Sequence, residues 1–299
     1  AMAIPVRVPR GPLYLDMDGF RLNSCYTLEG FRDALSYKPK PDDKFVVSFP
    51  KAGTTWTQQI GYLIFHQGEP PSTPQEFHDN SPFIDMFGCG ALKEGIKLGF
   101  IKTHLPYNLV PKSPQAKYLY VCRNPKDTCV SFFYHTSRFL CYDFEGGTFE
   151  DFFEVFMNGE TDDGDYFNHV LSWYEHRNDP NVLFIHYEDM KAEPKKYVLN
   201  IAEFMSKDHH QLLLQNERML DDIIEYSGIQ FMKETAKDVF ENLFENTSRK
   251  SAVPFIRKGI VGDWKEYFNE EMNARMEKKI LKELSQTCLI DVWRRHGIM

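Results

Sequence analysis

A lysine, a glycine and two threonines lie where a predicted strand gives way to a helix. Residues 45–49 form a short apolar run, and Lys51, Gly53, Thr54 and Thr55 follow it closely. Glycine lets the backbone approach a ligand, and the first N–H groups of a helix have no partner within the helix. The helix dipole and the lysine charge favour an anion at the same place. The spacing therefore predicts a phosphate-binding loop.

Two other interpretations of this loop stay open. An ordinary strand-to-helix turn would use Thr54 or Thr55 as a helix cap. The nucleoside-triphosphate motif G-x-x-x-x-G-K-[ST] fits poorly, because here the lysine precedes the glycine and the first glycine is missing. Such an enzyme also needs Mg²⁺, for which Asp127, Glu188 and Asp189 remain available as ligands. Phosphoryl transfer, as in a nucleotide kinase, is therefore the second candidate.

The composition restricts the partners of the protein. The 299 residues carry a formal net charge of −8 with neutral histidines, which gives no overall attraction to nucleic acid or to an anionic membrane. No run of 18 uncharged apolar residues predicts a membrane span. The six cysteines include no C-x-x-C pair and indicate reduced thiols, and residues 1–30 lack a secretory apolar segment. We therefore expect a cytoplasmic protein without nucleic-acid or membrane partners.

Apolar runs alternate with helical patterns along the chain. The runs 45–49, 99–103, 117–122 and 182–186 have the length and the β-branched or aromatic content of buried strands. Strand alternating with helix predicts an α/β fold around a parallel sheet. Helical patterns cover the ranges 55–67, 125–138, 148–158, 167–177 and 195–205.

Five sequence blocks stand out by their residue types and order. They are Pro50–Trp56, Lys102–Pro106, Arg123–Asp127 with Ser131, Tyr187–Lys191 and Arg257–Lys265. Together they resemble the cytosolic sulfotransferases, which transfer a sulfuryl group from 3′-phosphoadenosine-5′-phosphosulfate (PAPS) and release adenosine-3′,5′-bisphosphate (PAP). The resemblance implies a single α/β domain related to the P-loop nucleotide kinases, with about five parallel strands flanked by helices.

The resemblance also implies the residues that bind the donor. The first block corresponds to the site of the 5′-phosphosulfate end, with Trp56 stacking on the adenine. Guanidinium groups and a hydroxyl of the later blocks correspond to the 3′-phosphate site, which distinguishes this donor from ATP. Ile229 departs from the aromatic residue usual at its position. The implied residues are Lys51, Ala52, Gly53, Thr54, Thr55, Trp56, Arg123, Ser131, Tyr187, Ser227, Ile229, Arg257, Lys258 and Gly259.

His104 matches the catalytic base of the family. A histidine with a pKa near neutrality can take the proton of a hydroxyl as that hydroxyl attacks sulfur. Lys51 is expected to stabilise charge on the departing nucleotide, and Lys102 charge on the sulfuryl oxygens. The resemblance implies in-line transfer without a metal. A catalytically silent binding protein would lack the base, so these three residues argue against that alternative.

The acceptor implied by the resemblance is a small molecule with a hydroxyl, and we expect a phenolic or catecholamine-like one. Its pocket should be apolar and aromatic. Asp85 or Asp143 near the pocket would favour a cationic amine tail, although an exposed loop carboxylate is the alternative for both. The pocket candidates are Phe20, Phe83, Met86, Phe87, Phe139, Cys141 and Tyr142.

The whole chain, 1–299, is expected to form one sulfotransferase domain. Residues 41–265 form its core, residues 1–40 an extension packed near the acceptor pocket, and residues 266–299 a C-terminal helix. Many relatives dimerise through a K-x-x-x-T-V-x-x-x-E stretch, and here Glu270 stands at the position of its valine. Burying an unpaired carboxylate is costly. We therefore expect a monomer, or a dimer that does not use this motif.

Overall fold

Seven strands form two sheets in the computed structural model, which describes residues 2–96, 99–236 and 254–299. The strands are β1 (Ile4–Arg7), β2 (Leu13–Met17), β3 (Phe20–Leu22), β4 (Lys44–Val47), β5 (Ile101–Thr103), β6 (Lys117–Cys122) and β7 (Val182–His186). Strands β1, β2 and β3 form a small antiparallel sheet. The other four form a parallel sheet in the order β5-β4-β6-β7, which is the centre of the fold.

Helices precede, separate and follow the strands of the parallel sheet. They are α1 (Leu28–Ser36), α2 (Thr54–Phe65), α3 (Pro74–Asn80), α4 (Ile84–Phe87), α5 (Pro125–Arg138), α6 (Phe149–Met157), α7 (Tyr166–Tyr174), α8 (Tyr187–Ala192), α9 (Pro194–Met205), α10 (Lys207–Gln215), α11 (Glu217–Tyr226), α12 (Ile229–Ala236), α13 (Glu270–Leu284) and α14 (Leu289–Arg295). Several of these helices begin with a polar N-cap residue. The side chains of Asn124, Thr148 and Asp165 accept hydrogen bonds from backbone N–H groups at the starts of α5, α6 and α7.

The parallel sheet is buried on both faces. Phe45 and Val47 of β4 pack into one hydrophobic cluster, whereas Val46 between them packs into another. The side chains of β6 alternate in the same way. Tyr118 and Tyr120 pack into the cluster that contains Phe45, and Leu119 and Val121 into the cluster that contains Val46. Successive side chains of a strand point to opposite faces. The continuous apolar runs of the sequence therefore have the two covered faces that they predict.

The predicted α/β fold with one central parallel sheet is confirmed, with a correction in strand number. Strands β6 and β7 have the predicted bounds, and β4 and β5 are shorter than predicted. The sheet has four strands among the described residues, where about five were predicted. At its edge Phe83 forms only an isolated parallel bridge with Lys102. Helix α4 begins at the next residue, so pairing stops there.

The two ends of the chain pack on the same core. In α13, Met272, Met276, Ile280 and Leu284 recur every fourth residue and form one buried stripe. Residues 266–299 contain two helices, α13 and α14, where one was predicted. At the other end, the N–H of Asp163 donates to the carbonyl of Arg21 over 2.9 Å. No described helix is long and apolar enough to span a bilayer.

Candidate active site

A cavity of about 180 Å³ lies where the chain leaves β4, β5 and β6. A single water needs only about 10–15 Å³, so this space is large enough for an organic ligand. Every residue that the sequence predicted as catalytic or donor-binding lines it except Ala52. Ala52 is buried, and its N–H donates to the carbonyl of Phe49 over 3.2 Å. The carboxyl ends of neighbouring parallel strands meet at one edge, which brings these distant residues together.

The predicted phosphate-binding loop has the geometry of an anion cradle. Gly53 is the N-cap of α2 at φ 106°, and Lys51 also has a positive φ of 68°. A Cβ on Gly53 would lie 2.7 Å from the ring of Tyr187, so any larger residue would clash there. Thr54 forms a 2.6 Å hydroxyl bond with Ser48, which fixes the loop against its strand. The first residues of α2, whose N–H groups have no partner within the helix, line the cavity.

Lys51 lies in an excess of positive charge. Burial, together with the charges of Lys102, Arg123, Arg138 and Arg257, lowers its pKa to about 7. Its Nζ lies 4.7 Å from the ring centre of Phe255. A bound anion would remove the repulsion among these cations. The electrostatics thus favour a multiply charged anion in the cavity.

Aromatic rings flank the cavity beside this loop. The rings of Trp56 and Tyr187 meet edge to face with centroids 5.4 Å apart. Lys191 lies over Trp56 at 4.5 Å. Such a wall accepts a planar base, because an aromatic face stacks with any nucleobase. Trp56 and Tyr187, for which the resemblance implies adenine contacts, therefore form one aromatic wall of the cavity.

Two arginines line the cavity with donors to spare. Arg123 donates to the carbonyls of Lys51 and Ile260 over 3.1 and 3.3 Å. Arg257 donates to Asp263. The Nε of each guanidinium is buried without an acceptor in the described parts of the chain. Buried donors without partners are costly, and a bound phosphate would satisfy them.

The other residues predicted to bind the sulfuryl donor line the same cavity. Lys258 donates to Asp263 and to Glu266 over 2.7 Å each. Gly259 has a φ of 61°, and a Cβ there would lie 2.6 Å from the side chain of Ile229. Ile229 therefore packs on this glycine instead of supplying an aromatic ring. Ser131 and Ser227 both line the cavity, and the hydroxyl of Ser227 donates to the carbonyl of Ile223 over 2.6 Å.

The carboxylates that a Mg²⁺ ion would need are bound to other groups. The two oxygens of Asp127 accept the N–H groups of Gly262 and Trp264 over 2.9 and 3.0 Å. Glu188 accepts both the backbone and the side-chain N–H of Asn124 over 2.8 and 2.7 Å. No cluster of three metal-binding side chains occurs in residues 2–96, 99–236 and 254–299. The Asp127 and Glu188 contacts hold loops in place, which disfavours the kinase alternative.

His104 lines the cavity with one ring nitrogen that has no hydrogen-bond partner among the described residues. Its Nδ1 lies 2.8 Å from the carbonyl of Ser48. A carbonyl only accepts hydrogen bonds, so Nδ1 carries the proton and Nε2 keeps its lone pair. Nε2 has no protein partner within the described ranges. Burial lowers the pKa of His104 well below its usual value, and the charge of Lys102 adds to this effect. The imidazole is thus neutral and able to accept a proton.

A buried carboxylate holds the backbone of this histidine. The Oδ2 atom of Asp85 accepts the N–H of His104 over 2.6 Å. Lys102 also lines the cavity, with its Nζ 4.2 Å from the ring centre of Phe83, and burial lowers its pKa to about 8. Phe83 meets the imidazole of His104 edge to face, with centroids 5.3 Å apart. A cation and a base therefore lie together at the end of β5.

The rest of the cavity wall is largely apolar and aromatic. Of the residues predicted for it, Phe20 packs on Phe31 and Phe87 is 47% exposed, and neither lines the cavity. Asp143 is exposed and paired with Arg7. The predicted residues found in the wall are Phe83, Met86, Phe139, Cys141 and Tyr142. Sequence reasoning missed Asn23, Cys25, Tyr26, His135, Asp162, Asp163, Lys191, Met232, Phe255 and Ile256.

Known proteins are similar in sequence to this chain over most of its length. A family model described as a sulfotransferase domain matches residues 41–288. The chain is 32% identical to human sulfotransferase 1E1 over 264 residues, which cover 85% of this chain and 87% of the relative. It is 34% identical to the amine sulfotransferase of Oryctolagus cuniculus, over 86% of this chain and 85% of that protein.

Solved structures agree with the sequence comparisons. Mouse sulfotransferase SULT7A1, complexed with PAP, superposes with a TM-score of 0.76 at 26% identity, over 95% of this chain and 98% of the other. Retinol dehydratase, in complex with androsterone and PAP, gives 0.74 at 27% identity, over 93% and 90%. The chain belongs to the sulfotransferase family, whose donor is PAPS, and it is an enzyme of that class.

Proposed function

We propose that this enzyme transfers a sulfuryl group from PAPS to the hydroxyl of a small phenolic or catecholamine-like acceptor, with His104 as the general base. The observation that carries the proposal is the 2.8 Å contact between Nδ1 of His104 and the carbonyl of Ser48. A proton on Nδ1 makes this contact a hydrogen bond and leaves Nε2, which has no hydrogen-bond partner among the described residues, to accept a proton at the cavity. An acceptor hydroxyl within reach of Nε2 can give up its proton as its oxygen bonds to sulfur.

The residues present fit the donor at three places. The unpaired N–H groups of α2 with Lys51 suit the 5′ end, and Trp56 suits the adenine. The Nε groups of Arg123 and Arg257, buried without acceptors, suit a 3′-phosphate dianion. PAPS would supply the sulfuryl group and leave as PAP. Its departing phosphate oxygen gains negative charge, which the ammonium group of Lys51 would stabilise while Lys102 faces the sulfuryl oxygens.

The acceptor class rests on the other half of the cavity. Phe83, Phe139, Tyr26 and Tyr142 give it aromatic walls, which suit a flat ring beside His104. One relative is named an amine sulfotransferase, in keeping with an acceptor that carries nitrogen.

The proposal also includes a cytoplasmic location, which six free thiols favour. We also propose a monomer, or a dimer that does not use the K-x-x-x-T-V-x-x-x-E stretch, because Glu270 stands at the position of its valine, and sedimentation velocity would measure the mass in solution.

Binding of PAP is expected to be tight and independent of metal, whereas ATP with Mg²⁺ binds weakly. The reason is that Asp127 and Glu188 are already bonded to backbone groups, and spare guanidinium donors await a 3′-phosphate. Calorimetric titrations with PAP, with ATP, and with ATP plus Mg²⁺ would measure this, each with and without EDTA. Transfer from PAPS to phenols is then assayed directly. Preference for ATP with Mg²⁺ would contradict the proposal and favour the kinase.

Raising the pH from about 7 to about 9 is expected to weaken PAP binding. The pKa of Lys51 is about 7 in the free protein, so above that value its ammonium group loses a proton that the bound phosphate requires. Affinity then falls by up to about tenfold per pH unit, as proton linkage demands. The Lys51→Met variant should bind more weakly and lose most of this pH dependence. Lys258→Met should retain it, because contacts with Asp263 and Glu266 raise the pKa of Lys258.

A further inference from the structure

Two adjacent carboxylates lie in the wall of the cavity on the acceptor side. Asp162 and Asp163 follow α6, and their exposed fractions are 2% and 3%. Both line the same cavity as His104, Lys102 and Tyr26. Neither belongs to the donor-binding residues or to the proposed catalytic groups. Carboxylates are seldom fully buried without a partner, so their role requires an explanation.

The hydrogen bonds of this pair are incomplete. One oxygen of Asp162 accepts from Asn23 and Tyr142 over 2.9 and 2.6 Å, and its other oxygen has no partner in the described ranges. The carboxylate of Asp163 accepts no bond from any described residue, and its Oδ1 is buried. Its backbone is nevertheless fixed, with a φ of 63° and an N–H bond to Arg21. The chain thus holds an unsatisfied carboxylate in one place.

Other buried carboxylates of this protein, which hold loops in place, accept hydrogen bonds that Asp163 lacks. Both oxygens of Asp127 accept backbone N–H groups, and both oxygens of Asp263 are paired with Arg257 and Lys258. Asp85 at least accepts the N–H of His104. Asp163 makes no such contact within the structure that is described. A purely structural role therefore does not account for it.

The charges around the pair leave a local negative excess. The charged groups near Asp163 are Lys102 and Asp85. Arg21 lies near Asp162, and Glu160 lies near Tyr14, which is itself close to Asp162. Arg21 donates to the carbonyl of Glu160, and Lys102 forms no ion pair with either aspartate in the described structure. Burial raises the pKa of Asp162 to about 6, and burial with the neighbouring negative charges raises that of Asp163 well above its usual value. A cation placed here would relieve this repulsion.

We propose that Asp162 and Asp163 bind the ammonium group of the acceptor, which is therefore a phenol with a cationic amine on a short side chain. The proposal rests on the proposed function, since the phenol hydroxyl must lie at His104 for transfer. The ammonium donates to the carboxylates of the two aspartates, while the aromatic walls hold the ring between the two ends. The pair then selects acceptors by charge.

Three acceptors with the same phenol ring test this proposal. Tyramine, tyrosol and 4-propylphenol carry an ammonium, a hydroxyl and a methyl group at the same place on the side chain. Each is titrated calorimetrically into the full-length protein saturated with PAP. We expect tyramine to bind at least tenfold more tightly than either neutral compound. Asp163→Asn should remove at least tenfold of that preference and leave or improve binding of 4-propylphenol, because asparagine keeps the shape and tolerates a positive φ.

The control variant is Asp143→Asn, which removes an exposed carboxylate outside the cavity wall and should leave all three affinities unchanged. Equal affinity for tyramine and 4-propylphenol would overturn the proposal, as would an unchanged preference in Asp163→Asn. Tyrosol binding as tightly as tyramine would replace charge recognition by simple hydrogen bonding and would also overturn it. Transfer from PAPS is measured separately. An ammonium preference without transfer to tyramine would support the amine site and contradict the proposed reaction.

Discussion

Replacing His104 by alanine is expected to abolish sulfuryl transfer while PAP binding persists. The variant removes the imidazole that the cavity presents from the end of β5, and with it the group that we assign as the base. General-base catalysis contributes about 10²–10⁴-fold to rates, so we expect a loss of at least about 100-fold in kcat. Initial rates with PAPS and a phenol measure transfer, and calorimetry measures PAP affinity.

A second variant separates base chemistry from packing. His104→Asn can still donate to the carbonyl of Ser48, but it lacks a nitrogen at the place of Nε2. It should therefore be as inactive as alanine yet keep more of the wild-type stability. His176→Ala serves as a control, because that ring stacks on Tyr107 and does not line the cavity. A fully active His104→Ala protein would refute the assigned mechanism.

Replacing Arg257 by alanine is expected to weaken binding of PAP far more than binding of adenosine 5′-monophosphate. The two nucleotides differ by the 3′-phosphate, which we assign to the guanidinium groups of Arg257 and Arg123. Losing one partner of a buried charged pair costs about 2–5 kcal/mol, or roughly 30-fold or more in affinity. The monophosphate should lose less than about threefold. Calorimetric titration of both nucleotides measures the ratio.

The contact between Arg257 and Asp263 requires its own control. Lys258 also donates to Asp263, so the alanine variant leaves that carboxylate paired. Arg275→Ala removes a surface arginine paired with Glu154 outside the cavity wall and should not change either affinity. Arg257→Lys keeps the charge without the guanidinium fork and should lie between wild type and alanine. An equal loss for both nucleotides would contradict the 3′-phosphate assignment.

Short contiguous sequence patterns explain why the loop and the strands beside the donor side of the cavity could be predicted. The loop from Lys51 to Thr55 is contiguous, and its chemistry follows from its own glycine, lysine and helix start. The runs that became β6 and β7 are apolar or aromatic except for Lys117 at the start of β6 and His186 at the end of β7, which marks their bounds. Ala52 was assigned with this loop, but its N–H is used within the turn. Sequence spacing alone does not reveal which of several adjacent N–H groups remains unpaired.

The acceptor side depends on contacts that no local pattern contains. Asp162 meets Asn23 across 139 residues, and the cavity wall that they share exists only after the N-terminal segment packs. The predicted candidates Asp85 and Asp143 were acidic and near the right blocks, yet one holds a backbone N–H and the other is exposed. The pair at 162–163 precedes a glycine and resembles an ordinary polar turn. Burial is what distinguishes it.

The Asp127 contact also has a consequence for protein synthesis. Asp127 holds the N–H groups of Gly262 and Trp264, which follow it by 135 and 137 residues. A nascent chain has exposed its phosphate loop and its first helices long before that segment leaves the ribosome. Contacts of such sequence separation form late, because a long loop must close first. The wall that residues 255–260 add to the cavity therefore also forms late, and only a nearly complete chain presents all the residues that we assign to the donor.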